Sequence, residues 1–95
     1  MATSSENTNA GYLHLSPNPA TNEVMCKIAS LGKTEVMLEI INDTGQKKFS
    51  KKLNLANGYN DIKVNITLFP KGIYRVIVTS SKGKILANKP LIINK

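Results

Sequence analysis

One histidine and one cysteine are the residues in this chain that could form a nucleophile and base pair. In such a pair Cys26 would supply a thiolate and His14 would remove its proton. Both residues lie in segments whose apolar residues alternate as in a β-strand. Cys26 takes the same alternate positions as the apolar residues of its segment, whereas His14 lies between Leu13 and Leu15 and so on the opposite face from them. We therefore expect Cys26 to be a small buried hydrophobe, and no catalytic residue is predicted.

Ligands for a metal ion are equally sparse. One histidine and one cysteine cannot complete a tetrahedral zinc site. Asn42 and Asp43 offer oxygens in a turn, but Asp61 is the only other aspartate, and calcium sites commonly use several carboxylates. An Asx-type turn accounts better for Asn42 and Asp43. Glycine-rich phosphate loops do not occur, so the sequence predicts neither a metal nor a cofactor.

Positive charge is the most pronounced compositional feature, with 13 basic and 6 acidic residues and a net charge of +7. Nucleic acid is the first partner to consider for such a chain. However, Arg75 is the only arginine and aromatic residues make up 5% of the chain, so bidentate contacts and base stacking would both be scarce. We expect no nucleic-acid partner. The lysines are typical of a solvated surface with protected strand edges, and contact with an acidic polymer such as lipopolysaccharide is the alternative.

The length of 95 residues allows one domain with one modest core. No run approaches the roughly 20 consecutive apolar residues that a membrane-spanning helix requires, so no membrane span is expected. Residues 1–11 are small and polar and lack both the basic and the apolar region of a secretory signal. We interpret residues 1–11 as a disordered leader or linker, and residues 12–95 as the folded domain.

From residue 12 onward, apolar residues alternate with a period of two, which indicates β-strands. Turn sequences separate these segments at intervals of about 8–12 residues. The predicted fold class is therefore all-β, a seven-stranded antiparallel immunoglobulin-like β-sandwich. The predicted strands cover residues 12–15, 24–28, 35–41, 46–55, 61–66, 73–78 and 84–95.

The strand pattern also predicts the core and the edges of the sheets. Lys47 and Lys51 share a face with Phe49, which predicts that the fourth strand is an edge strand or carries a bulge. Pro90 predicts the same for the last strand. The predicted core consists of Leu15, Val24, Cys26, Ile28, Val36, Leu38, Ile40, Phe49, Leu53, Ile62, Val64, Leu68, Tyr74, Val76 and Val78.

Four short motifs occur in a particular order along the chain. They are Pro17-Asn18-Pro19 ahead of a strand, Asn42-Asp43-Thr44-Gly45 in a hairpin, Leu68-Phe69-Pro70-Lys71-Gly72-Ile73-Tyr74, and the closing Lys89-Pro90-Leu91-Ile92-Ile93-Asn94-Lys95. This order resembles the C-terminal sorting domain of proteins exported by the type IX (Por) secretion system of Bacteroidetes. The resemblance covers about residues 13–95, nearly all of the expected domain.

The resemblance implies a function that the chemistry of single residues does not show. Such a domain is a non-enzymatic C-terminal secretion signal, read by the type IX outer-membrane translocon and its shuttle proteins. The larger parent protein would pass through the periplasm to the outer-membrane surface or be secreted. A sortase-like cysteine peptidase would usually remove the domain by a cut in or before residues 4–11, and the cargo is commonly attached to anionic lipopolysaccharide. The alternative is an immunoglobulin-like adhesion or carbohydrate-binding accessory module, which would need an exposed aromatic platform.

The resemblance also implies roles for individual residues. The last strand is the candidate for direct recognition by the translocon, through Lys89, Leu91, Ile92, Ile93 and Lys95. The earlier matching positions are expected to determine the fold, and they are Pro17, Asn18, Pro19, Asp43, Gly45, Gly72 and Tyr74. Pro90 departs from the family pattern, which often has two adjacent basic or polar residues before the last apolar run.

Overall fold

The computed structural model describes residues 10–95, and antiparallel β-strands account for most of them. No helix among these residues is long and apolar enough to cross a membrane. Most of the expected leader lies outside the described residues, and the first strand already includes Ala10 and Gly11. The strands are β1 Ala10–Ser16, β2 Glu23–Ser30, β3 Thr34–Asn42, β4 Lys47–Leu55, β5 Gly58–Asn65, β6 Gly72–Ser80 and β7 Ile85–Ile93.

The strands form two sheets whose inner faces enclose one core. One sheet has the strand order β1-β2-β5 and the other has the order β4-β3-β6-β7. Every neighbouring pair is antiparallel. The chain crosses from one sheet to the other after β2, β4 and β5. The predicted seven-stranded immunoglobulin-like sandwich is confirmed.

The core lies where the predicted alternation places it, because successive residues of a strand point to opposite faces of the sheet. Phe49 and Ile62 are only partly buried but pack against this core. The expectation for Leu68 is wrong. Its side chain is 92% exposed, because it lies in the connector between β5 and β6, where strand alternation no longer applies. Buried apolar residues that the predicted core omits are Leu13, Ala20, Leu55, Ile66, Leu91 and Ile93.

Both predicted edge strands lie at an edge of the four-stranded sheet. A bulge interrupts the pairing of β4 with β3, and another interrupts the pairing of β7 with β6. Lys51 of β4 lies opposite the fully buried Leu38, and Lys89 of β7 lies opposite the fully buried Val76. A lysine on the core-facing side of an edge strand hinders the addition of a further strand, because its charge would then have to be buried.

We expect the Leu38→Ala variant to lose about 2–5 kcal/mol of unfolding free energy, because it removes apolar contacts from a fully buried site and leaves a cavity. The matched variant Leu68→Ala should change stability by no more than about 0.5 kcal/mol, because its side chain lies in solvent. Urea unfolding of both variants measures the difference. Equal losses would contradict the burial of one leucine and the exposure of the other.

Candidate recognition site

Burial divides the five candidate recognition residues, four in β7 and Lys95 just after it, into two groups. Leu91 and Ile93 are 0% and 2% exposed and belong to the core. Ile92 is 44% exposed on the outer face of the sheet, and Lys89 and Lys95 are exposed. In the folded domain Ile92 and the two lysines therefore lie at the surface, whereas Leu91 and Ile93 anchor the strand.

The two lysines have different surroundings. Lys89 and Asn18 line a shallow cleft between β7 and β1, which are edge strands of the two sheets. The Nζ of Lys95 donates hydrogen bonds to the carbonyl oxygens of Ile66 and Thr67 at 3.1 and 2.6 Å. These bonds attach the last residue of the chain to the connector that follows β5.

Residues 17–22, which we call the strap, run along the side of β7 that faces away from β6. Ala20 is fully buried and forms a parallel bridge with Ile93. The amide of Ala20 donates to the carbonyl of Ile92 at 2.8 Å, and its carbonyl accepts from the amide of Asn94 at 2.9 Å. Thr21 Oγ1 donates to the carbonyl of Asn94 at 3.2 Å. The strap thus acts as an additional edge segment for the last strand.

Asn18 extends this pairing with its side chain. Its Oδ1 accepts from the amide of Ile92 at 3.0 Å, and its Nδ2 donates to the carbonyl of Pro90 at 3.0 Å. A carboxamide offers the same donor and acceptor as a peptide group, so it pairs as a strand residue would. Together with Ala20 and Thr21, Asn18 provides hydrogen-bond partners for the carbonyl of Pro90 and for the amide and carbonyl groups of Ile92 and Asn94. All of these groups point away from β6.

Pro17 and Pro19 remove backbone donors from the strap itself. Ala20 directs its amide and carbonyl toward β7. A further strand approaching the strap would find no N–H at either proline, which limits edge-to-edge pairing on this side of the sandwich.

Two other motif segments lie at the same end of the sandwich as the strap. The amide of Ile66 donates to the carbonyl of Asn22 at 2.9 Å, which ties the β5–β6 connector to the strap. Asp43, in the β3–β4 hairpin, lines a small cleft together with residues 70–74. We call this end the C-terminal pole, made up of the strap, residues 43–46, residues 66–71 and the end of β7.

Asn42 and Gly45 shape the β3–β4 hairpin. Asn42 Oδ1 accepts from the amides of Thr44 and Gln46 at 3.0 and 2.8 Å, which confirms the Asx turn expected at this position. Gly45 has a φ of 90°, a left-handed conformation that a side chain would strain. These local constraints hold the exposed Asp43 at the tip of the hairpin.

Tyr74 links the hairpin, the connector and the core. Its side chain is 4% exposed, and its hydroxyl donates to the carbonyl of Pro70 at 2.6 Å. Its ring packs against Phe69, with 5.8 Å between the ring centroids. Burial raises the pKa of Tyr74, and the nearby Asp43 carboxylate raises this pKa further.

Gly72 begins β6 with a φ of 155°, which residues with a side chain rarely adopt.

Residues 14–94 match the family model described as a secretion system C-terminal sorting domain. The chain belongs to this family. The resemblance inferred from the motifs is therefore confirmed, and the sorting domain is a C-terminal signal for type IX secretion. The family implies contact with the secretion machinery and export to the cell surface or medium, and its domains are non-enzymatic in general.

Solved structures similar to the sorting domain come from a larger enzyme. Two structures of β-glucosidase from Kluyveromyces marxianus, one labelled with selenomethionine and one in complex with glucose, each superpose with a TM-score of 0.55 at 17% identity. Each match covers 94% of this chain but 15% and 14% of the respective enzyme chains. This likeness supports the fold alone. No curated protein matches the sequence.

The structure separates Cys26 from His14. Cys26 is fully buried opposite Leu15, whereas His14 is exposed on the outer face of the sheet opposite Lys27. Burial raises the pKa of Cys26 to about 11. Within residues 10–95, no group of three or more His, Cys, Asp or Glu side chains is arranged to hold a metal ion. The cysteine and histidine of the sorting domain therefore do not form a nucleophile and base pair.

Two exposed tyrosines lie on the outer face of the three-stranded sheet. Tyr12 and Tyr59 are 48% and 70% exposed, and their ring centroids are 5.9 Å apart. The ring planes meet at 77°, so the pair is edge-to-face. Perpendicular rings do not form the flat platform on which a sugar would stack, and this geometry does not favour the carbohydrate-binding alternative.

The Asn18→Ala variant should lose about 1–3 kcal/mol of stability, because the backbone groups of Ile92 and Pro90 lose their carboxamide partner. Amide hydrogen exchange of Ile92 should accelerate, and Asn18→Asp should fall between Ala and the wild type because it keeps an acceptor but loses the donor. Asn54→Ala, at an exposed position on the other edge, is the control. Unchanged protection of Ile92 in Asn18→Ala would contradict the pairing.

Stability should fall as the pH rises from about 9 to about 11. The pKa of Cys26 is raised by burial from 9.0 to about 11, so the unfolded chain loses this proton first and the folded state gains less from ionisation. The unfolding free energy therefore decreases by about 2–3 kcal/mol across this window, and this decrease is absent below pH 9. Unfolding measured against pH for the wild type and Cys26→Ala isolates the effect, since lysines and tyrosines titrate in both. Identical slopes would refute it.

Proposed function

We propose that the type IX outer-membrane translocon and its shuttle proteins read this sorting domain in its folded state, at the C-terminal pole. The parent protein passes through the periplasm to the outer-membrane surface or the medium. A sortase-like cysteine peptidase then cuts in or before residues 4–11. The pairing of the strap with β7 carries this proposal, because it makes the arrangement of the terminal strand depend on the rest of the fold.

The burial pattern of β7 supports recognition of the folded state. Leu91 and Ile93 are inside the core, so folded and unfolded chains expose different side chains of the same segment. In the folded domain, Ile92 and Lys89 are exposed and held by a sheet on one side and by the strap on the other. A rigid arrangement of this kind lowers the entropic cost of binding.

The direction of β1 supports cleavage at a distance from the recognised end. Ala10 pairs with Ser30, and Ser16 pairs with Met25 next to the strap, so the start of β1 lies at the pole opposite Lys95. Seven residues of strand, at about 3.3 Å each, separate the two ends of β1 by about 20 Å. A translocon bound at the C-terminal pole would leave the junction with the parent protein accessible to a peptidase.

The domain itself is a signal and not an enzyme in this proposal, and any activity belongs to the parent protein. The separation of Cys26 from His14 supports this part. Anionic lipopolysaccharide is the proposed attachment partner of the exported parent. The net charge of +7 favours electrostatic attraction of the domain to such a surface while the parent is being transferred.

A secretion assay tests the proposal. The 95-residue chain is fused behind a periplasm-targeted fluorescent reporter and expressed in a host with the type IX translocon and in one without it. We expect the reporter outside the cell in the intact host alone. Retention of the reporter in the periplasm of both hosts would show that the domain does not address a protein for export.

The folded-state requirement needs its own variant. Deleting residues 91–95 would remove two core side chains together with the signal, so the deletion cannot separate the two effects. Leu38→Asp instead places a charge in the core while leaving β7 unchanged, and it should unfold the domain. Export of this variant at the wild-type level would show that the terminal segment is read as a linear peptide.

A further inference from the structure

The strap restricts how a partner can contact β7. Its hydrogen bonds occupy the outward carbonyl of Pro90, both backbone groups of Ile92 and both backbone groups of Asn94. A partner that added a strand to this edge would first have to displace these bonds and expose the buried Ala20. Recognition through side chains needs no such displacement, and the exposed Ile92 lies on the outer face of β7.

That outer face carries apolar residues on neighbouring strands. Ile92 of β7 lies directly opposite Ile73 of β6, and the two are 44% and 61% exposed. The backbone groups of Ile92 bond to the strap, so this is a non-hydrogen-bonded pair, in which the side chains are closest. Two residues further along β6, and on the same face, Arg75 lies between Pro90 of β7 and Ile41 of β3.

Arg75 is an exposed cation among these apolar side chains. Its Nε donates to Asn88 Oδ1 of β7 at 2.6 Å, which links the guanidinium to the neighbouring strand. The ion pairs formed within residues 10–95 do not include Arg75, whereas Lys47 and Lys52 on β4 pair with Glu39 and Glu35. Arg75 therefore keeps a planar donor group that suits a carboxylate.

We propose that Ile41, Ile73, Arg75, Pro90 and Ile92, here called the Arg75 patch, form the docking surface for a component of the secretion machinery. The partner surface is apolar and carries at least one carboxylate placed to meet Arg75. This inference rests on the proposed function and adds the face and the chemistry of the contact. Arginine is enriched among the dominant residues of interfaces, and an aliphatic side chain can serve as the central anchor.

A second copy of this chain is a less suitable occupant. A two-fold symmetric interface brings the same patch of both copies together. Both Arg75 side chains would then lie in the same interface, in a complex whose subunits each carry a charge of +7. Like charges in a desolvated contact are unfavourable, so charge complementarity favours an acidic partner over self-association.

The test uses the 95-residue reporter fusion with two independent sets of variants. The Ile73→Ser/Ile92→Ser double variant removes the apolar part of the patch, and Arg75→Glu reverses its charge. The matched controls are Ile85→Ser, at the other end of β7 and 57% exposed, and Lys82→Glu, in the exposed β6–β7 turn. Thermal unfolding and amide exchange of the isolated chain show which variants keep the fold.

We expect each patch variant to reduce export by about tenfold or more, as for dominant residues of an interface, while each control stays within about twofold of the wild type. Export of the Arg75→Lys variant should lie between that of Arg75→Glu and that of the wild type, because lysine keeps the charge but lacks the planar guanidinium group. Wild-type export by folded patch variants would overturn the docking surface alone. A wild-type fusion that fails to leave the periplasm would overturn the proposed function and the docking surface together.

Sedimentation of the isolated chain provides a measurement that does not depend on export. We expect a monomer across the accessible concentration range. A dimer that dissociates in the Ile73→Ser/Ile92→Ser variant would instead assign the Arg75 patch to self-association and overturn the proposed partner.

Discussion

The hydrogen bonds between the strap and β7 join positions 72 to 74 residues apart, and the arrangement of the C-terminal pole depends on them. Without them, the last strand would present an unpaired edge. Closing so long a loop has an entropic cost that grows slowly with its length, and the burial of Ala20, Leu91 and Ile93 offsets it. The last strand of the sorting domain is therefore positioned by a segment near the start of the fold.

Because the strap covers the free edge of β7, the core-facing side, the free edge and the outer face of this strand have different roles. Toward the core, Leu91 and Ile93 contribute apolar packing. Along the free edge, the strap satisfies the backbone. Outward from the sheet, Ile92 remains available beside Ile73. A short strand can act both as a structural element and as a recognised surface because a pleated backbone separates these directions geometrically.

The positive charge of the domain is also distributed according to the topology. Lys51 and Lys89 lie on core-facing positions of edge strands, where a charge opposes further strand pairing. Lys95 bonds to backbone carbonyls, and Lys47 and Lys52 pair with glutamates of β3. Five of the twelve lysines thus have roles within the fold, in a domain whose family function is export.

The strands, the turns and most of the core follow from the amino-acid sequence alone, because alternation and turn chemistry are local and can be read over a few residues. The motifs also identified the family, since their order along the chain is itself sequence information. Leu68 was misplaced because a connector has no such period. Three contacts follow from the folded structure and not from local sequence: Asn18 pairs with Ile92, Lys95 binds the β5–β6 connector, and Arg75 lies among exposed isoleucines. These contacts join segments distant in sequence, and which edges and faces meet depends on how the two sheets close around the core.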